Sequence, residues 1–192
     1  MKRVEDPYSY FRHMDPRSVH KRLLTSYTEL LLGSGSPRRR QLLEGIGWPI
    51  RVIRKDVPEV PPEHLKGSEV ALHLAEFKAM AFDEALAAGQ LLLTADTIVW
   101  QDGHVLGKPV DRADAVRILD RLQGNRHQVF TGVCLSLLGK RYCFSVETTV
   151  TFRPLSSSEI ETYIDEYQPY DKAGAYGAQE CLPKNMNPCS TE

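Results

Sequence analysis

YTELLLGSGSPRRR, running from Tyr27 to Arg40, decides the fold. Tyr27 to Gly33 has the apolar character of a strand and breaks into Gly33-Ser34-Gly35-Ser36-Pro37. Ser36 is placed as an N-cap with Pro37 at the first helical position, so a helix opens with Arg38-Arg39-Arg40 and ends near Gly45 to Gly47. A Gly/Ser turn feeding a helix presents unpaired backbone N–H groups and the positive end of the helix dipole, a ready anion site. Arg38 and Arg39 at that mouth suit charge-assisted, bidentate contacts to phosphate. The plain alternative is a solvated basic helix end.

Outward from this stretch, strands and helices alternate. A strand at Ile50 to Ile53 leads into a proline-punctuated acidic loop, Asp56 to Glu63, which can be neither regular helix nor central strand. Helical period runs from Ser68 to about Ala88, with Val70, Leu74, Phe77, Ala81 and Ala85 along one face and Lys78 at its border. Leu91 to Trp100 reads as a strand, and Asp102-Gly103 as a tight hairpin turn, which ends at Gly107-Lys108-Pro109. An amphipathic helix follows from Arg112 to Leu122, with Ala115, Ile118, Leu119 and Leu122 inward and a stop at Gly124. Two strands, Gln128 to Leu138 and Arg141 to Phe152, turn at Gly139, and Ser156 to Glu159 has capping-box spacing before a helix to Glu166. The pattern has no clear repeats and predicts an α/β fold with a mixed sheet.

Composition bounds the function. The 192 residues, 42% hydrophobic and 26% charged, suit one globular domain. With 24 Lys and Arg against 25 Asp and Glu, there is no broad positive field for nucleic acid, so any basic site is local. The apolar runs are too short to span a bilayer, and Met1 to Thr28 has acidic residues and no apolar stretch, unlike a secretory or transit signal. Cys134, Cys143, Cys181 and Cys189 form no C-x-x-C pair, which fits a reducing cytoplasm. Cys134 and Cys143 are read as small buried hydrophobes, and His127 as a strand-end histidine rather than a zinc ligand, because no second His lies at ligand spacing.

The chemistry-bearing residues are few. Asp96 is a carboxylate inside an apolar strand, costly to bury unless paired, metal-bound or at work in a cleft; a turn-capping Asp at a strand end is the alternative. Glu59 offers a second hard oxygen ligand for a divalent cation, and Lys78 and Lys108 add positive charge suited to a polyphosphate. Each of these three taken alone is as consistent with an ordinary surface residue. The helix mouth is not G-x-G-x-x-G, the G-x-x-x-x-G-K-[ST] loop is absent, and there is no G-x-S-x-G elbow, so covalent catalysis has no support.

Taken in order, Gly33-Ser34-Gly35-Ser36-Pro37-Arg38-Arg39, Ala95-Asp96-Thr97, Leu106-Gly107-Lys108-Pro109, Thr131-Gly132-Val133 and the run from Asp171 to Gln179 closely resemble the Maf family of nucleotide pyrophosphatases, from about Leu30 to Glu180. The resemblance implies an elongated mixed sheet with flanking helices and two lobes around a cleft, similar to the inosine triphosphate pyrophosphatases. It implies cleavage of a nucleoside triphosphate to the monophosphate and pyrophosphate with a divalent metal, Mg²⁺ or Mn²⁺. By motif position Asp96 matches the family's catalytic acid, the proton acceptor, and Glu59 and Asp96 are the expected metal-binding pair. Ser34, Arg38, Arg39, Lys78 and Lys108 match residues around the phosphates. Arg38, Thr97 and Gln179 match positions that distinguish the branch preferring dTTP and UTP, which implies house-cleaning of pyrimidine nucleotides. Dimerisation is typical of the family; neither nucleic acid nor membrane is expected as a partner.

The resemblance divides the chain into an N-terminal extension at 1–28, expected to be poorly ordered, a pyrophosphatase domain at 29–180, and an atypical tail at 181–192. The family continues after Gln179-Glu180 with a further strand and a Gly-Leu-Pro segment. Cys181 to Glu192 is instead polar and proline-broken, without strand or helix periodicity, and reads as the product of truncation or a shifted frame. Loss of a terminal strand would expose a sheet edge, work against dimerisation and favour an alternative function: a catalytically impaired nucleotide-binding or regulatory protein linked to cell division.

Overall fold

Leu30, Leu31 and Leu32 are all buried, the mark of a strand covered on both faces rather than one. They form the centre of β1 (Glu29–Gly33), which has two parallel neighbours, β2 (Ile50–Ile53) and β3 (Gln90–Gln101). The computed structural model describes residues 27–45, 47, 49–137 and 140–177 and the backbone of 189–191. β4 (His104–Leu106) folds back antiparallel on the end of β3. β5 (Arg126–Leu137) pairs antiparallel with β3, and β6 (Lys140–Phe152) with β5. The seven-stranded mixed sheet runs β2-β1-β3-β5-β6-β7, with β7 at Cys189–Thr191 and β4 beside β3, in keeping with the α/β class expected from the sequence.

The helices begin where their caps dictate. α1 (Pro37–Gly45) starts with the Ser36 hydroxyl accepting the Arg39 amide at 3.4 Å. α3 (Arg112–Leu122) is capped by Asp111, and α4 (Ser157–Tyr167) by the Ser156/Glu159 capping box. The predicted hairpin turn is present, with φ of 48° at Asp102 and 82° at Gly103, the left-handed pair that matches strand twist.

α2 (Ser68–Met80) differs from its sequence reading in length and face. It stops at Met80 and is followed by a 3-10 turn at Asp83–Ala85. Its inward residues are Val70, Ala71, Leu74, Ala75 and Ala79, whereas Phe77 is 40% exposed and stacks on His73. The reason is distance. A Cβ on Gly132 of β5 would overlap the Ala71 carbonyl, and the buried Thr94 hydroxyl donates to the Ala75 carbonyl at 2.7 Å. Val70 and Leu74 face inward as expected, but alanines take the closest approaches to the sheet, so the large Phe77 is turned out and Lys78 is largely covered.

Helices cover opposite faces of the sheet at different places along it. α2 lies over Leu31, Leu92, Ile98, Phe130 and Cys134, and α3 and α4 pack over Val99, Val150, Phe152 and Tyr176. Cys134 is buried and faces the half-buried Cys143 in register, both as free thiols. His127, only 3% exposed, places Nε2 2.7 Å from the Tyr176 hydroxyl and sits edge-on to Phe152 and Tyr176. No helix among the described residues is long and apolar enough to cross a membrane.

In the tail, where the sequence has no strand periodicity, Cys189–Thr191 nevertheless form β7, antiparallel to Val150–Phe152 of β6. Three residues are too few to show a period, and β6 offers the unpaired groups of a last strand. At the other end, the Thr28 amide and hydroxyl both donate to the Gly89 carbonyl, at 2.9 and 3.2 Å. The rest of the extension, residues 1–26, lies outside the described residues.

Two predictions follow from this packing. Gly132→Ala should cost about 2–4 kcal/mol, read by urea unfolding, because helix backbone rather than a flexible side chain must move. Burial pushes the His127 imidazole down to about 4. The unfolded chain therefore takes up this proton at higher pH than the folded one. The His127 contribution to stability is intact above pH ~6.5 and is lost as the pH falls towards 4, by up to about 3 kcal/mol. Unfolding free energies at pH 7 and 4.5 should differ less in His127→Leu than in the parent.

Candidate active site

One edge of β3 is paired with β5 without a break from Leu92 to Trp100. Along the other edge, β1 ends its pairing at Leu93 and β4 begins only at Val99, so residues 94–98 have no strand neighbour there. Asp96 is the middle residue of this open stretch. α2 packs across this stretch on one face of the sheet, over Leu92 and Ile98, and α3 and α4 pack over Val99 on the other.

α1 reaches the gap from one side. Arg39 Nη1 donates to the Ala95 carbonyl at 2.7 Å and Nη2 to Thr97 Oγ1 at 3.3 Å, so a guanidinium takes the place of a strand neighbour. Ser34 Oγ accepts from Arg39 Nη1 at 3.4 Å and from the Ser36 amide at 3.2 Å, which ties the Gly/Ser turn to the same side chain. Burial lowers the Arg39 pKa from arginine's ordinary value, and the charges of Asp96 and Glu59 act against that. A guanidinium stays protonated throughout, and its N–H fork is the natural partner of a phosphate.

α2 reaches the gap from the other side. Lys78 Nζ donates to Asp96 Oδ1 at 2.8 Å and lies 2.7 Å from Glu59 Oε1. The Lys78 and Asp96 side chains are 15% and 13% exposed, so the pair is largely removed from water, and loss of either partner would strand a charge. The Lys78 hydrogen bond holds the Glu59 carboxyl below the usual carboxylate range, and Lys108, 3.9 Å from Glu59 Oε2, adds to this. Lys108 is carried by the β4 hairpin, where the Gly107 carbonyl accepts the Gly174 amide at 3.0 Å. The run beginning at Asp171 is thereby fastened to the same edge.

These placements bring together Ser34, Arg39, Glu59, Lys78, Asp96, Thr97 and Lys108. Arg38 is exposed at the α1 mouth, without a hydrogen bond or ion pair among the described residues, and Gln179 lies outside them. The sequence reading did not single out the Ala95 carbonyl or the Thr131 hydroxyl, which is 3.1 Å from Thr97 Oγ1. Both depend on which edge of β3 is open and on the Thr97↔Thr131 register, for which a single sequence has no signal.

The donor set also suits a hard divalent cation. Two carboxylates converge on one lysine, each through a single oxygen, which leaves Asp96 Oδ2 and Glu59 Oε2 as candidate oxygen ligands. No cluster of three or more His, Cys, Asp or Glu suited to a metal occurs among the described residues. Such an ion would therefore be completed by oxygens of water and substrate, as is usual for Mg²⁺ beside phosphates.

Comparison with known proteins gives the chain its family. A protein of Bacteroides fragilis named dTTP/UTP pyrophosphatase is 46% identical over 157 residues, 80% of each chain. One of the same name from Bacteroides thetaiotaomicron is 47% identical over 156 residues, again 80% of each. Among solved structures, the Staphylococcus aureus Ham1 protein is similar at 17% identity with a TM-score of 0.48, over 65% of this chain and 72% of that one. The sequence profile of the Maf-like proteins matches residues 29–186, and with relatives this close over most of its length the chain belongs to the Maf-like protein family.

Proposed function

We propose that the chain hydrolyses dTTP and UTP to the nucleoside monophosphate and pyrophosphate, with a divalent metal ion and in the cytoplasm, as a guard on the pyrimidine nucleotide pool. The observation that carries this reading is the convergence of Arg39 and the Glu59–Lys78–Asp96 cluster on one open stretch of β3. The names of the relatives, dTTP/UTP pyrophosphatases at 46 and 47% identity, support the choice of bases.

Charge supports the substrate class. Arg38, Arg39, Lys78 and Lys108 set against Glu59 and Asp96 leave a net charge of two positive units at the site. A triphosphate carries close to two negative charges on its terminal group and one on each of the others, roughly four in all. Glu59 and Asp96 are the residues that would hold Mg²⁺ or Mn²⁺, and the bound ion would supply the remaining positive charge.

The chain's own groups divide the work. Asp96, held by Lys78 through Oδ1, is the group that takes the proton of the attacking water. As water adds at the α–β anhydride, that bond breaks and its electrons leave with the pyrophosphate. Arg39, Arg38 and the N–H groups at the start of α1 hold the leaving charge. Lys108, with an exposed side chain, meets the phosphate chain from the hairpin side. Thr97 and Gln179 are the residues assigned to the base and its setting, since an amide presents both a donor and an acceptor to a pyrimidine edge.

Asp96→Asn should keep the fold and lower kcat for dTTP by about 10²–10⁴, the usual weight of a general base. A variant with parental turnover in a pyrophosphate-release assay would remove Asp96 from this role. Stripping divalent ions with a chelator should abolish pyrophosphate release, and added Mg²⁺ or Mn²⁺ should restore it. Turnover unaffected by the chelator would rule out the metal.

A further inference from the structure

Arg39 can offer only protons, so the Thr97 oxygen accepts where the two meet, and the proton of Thr97 itself must turn away from the cation. On the far side of Thr97, at 3.1 Å, is the hydroxyl of Thr131. The two threonines are direct partners in the β3–β5 register, and both are half-buried. Their β-branched side chains have few χ1 wells in a strand, and the contact between the two hydroxyls selects one of them for Thr97. Among the described residues, Thr131 has no hydrogen bond to a charged residue of the site. Its influence passes through Thr97 to the guanidinium.

We propose that Thr131 is a positioning residue for the pyrophosphatase reaction: its hydroxyl fixes the orientation of Thr97, which in turn fixes the plane of the Arg39 guanidinium at the open edge of β3. This rests on the function proposed above. Arg39 has five N–H groups. Nη1 is turned to Ala95 and Ser34, and one N–H of Nη2 to Thr97. Nε has no partner among the described residues and shares one side of the guanidinium with Nη2, an edge that can donate to two oxygens of a phosphate. If the Thr97 oxygen is free to rotate, the Nη2 contact loosens and that two-pronged edge loses its aim. Threonine is therefore needed at 131 for its hydroxyl and not only for its strand-forming shape.

The test pairs Thr131→Val, which keeps the shape and removes the hydroxyl, with Thr131→Ser, which keeps the hydroxyl. Circular dichroism and thermal unfolding establish that both fold. For dTTP, Thr131→Val should raise KM about tenfold with kcat within about twofold of the parent, and Thr131→Ser should return KM to within about threefold. In a Thr97→Val background, Thr131→Val should add nothing further. A readout free of substrate is the ¹⁵N spectrum of the arginine side chains, with Arg39 assigned from its absence in Arg39→Lys. The Arg39 signals should shift and broaden in Thr131→Val and recover in Thr131→Ser.

A parental KM in Thr131→Val, no recovery in Thr131→Ser, or unchanged Arg39 signals would each overturn the proposal. A parent chain without turnover would instead overturn the proposed function. The Arg39 signals and the affinity for inorganic pyrophosphate in the two variants then decide the role of Thr131 by the same pattern.

Discussion

The site depends on how closely α2 can lie against the sheet. Gly132 leaves room for the Ala71 carbonyl, and Ala71, Ala75 and Ala79 present a smooth face to β3 and β5. Any side chain at 132, or a larger residue among the alanines, would lift the helix away. Lys78 lies in the last turn of that helix, and its ammonium reaches Asp96 at 2.8 Å. A buried lysine and a buried aspartate are each costly alone and tolerable only as a pair, so packing at Gly132 and pairing at Asp96 are one constraint seen from two ends.

The second element is an interruption in the sheet. Hydrogen-bond partners of β3 change from β1 to β4 across five residues, and backbone groups in such a gap need partners from elsewhere. Arg39 meets that need at the Ala95 carbonyl, which places a cation beside the carboxylate that α2 has already engaged. A polar gap of this kind would be a defect in a purely structural sheet. Here charged groups from α1, α2, the proline-rich loop and the β4 hairpin meet.

Much of the fold was legible because it is set locally. Ser36-Pro37, the Asp102-Gly103 turn, and Ser156 with Glu159 act within a few residues of one another, and the structure follows each of them. α3 has the predicted bounds and inward residues, since its apolar groups are large and regularly spaced. The face of α2 was misread for a physical reason: periodicity gives weight to Phe77, whereas close approach to Gly132 selects the alanines. β7 was missed because a three-residue strand takes its order from the free edge of β6.

The candidate residues divide in the same way. The family was legible in five short motifs taken in order between Gly33 and Gln179, whereas Asp96, Glu59, Lys78, Lys108 and the arginine-rich helix mouth, read one at a time, each kept a plain structural alternative. Their partners were decided only by the tertiary structure. Lys78 to Asp96, Arg39 to Ala95, and Thr97 to Thr131 are contacts across 18, 56 and 34 residues, set by strand register and helix approach. Such contacts arise from the global packing of the sheet, and no short-range pattern in the chain encodes them.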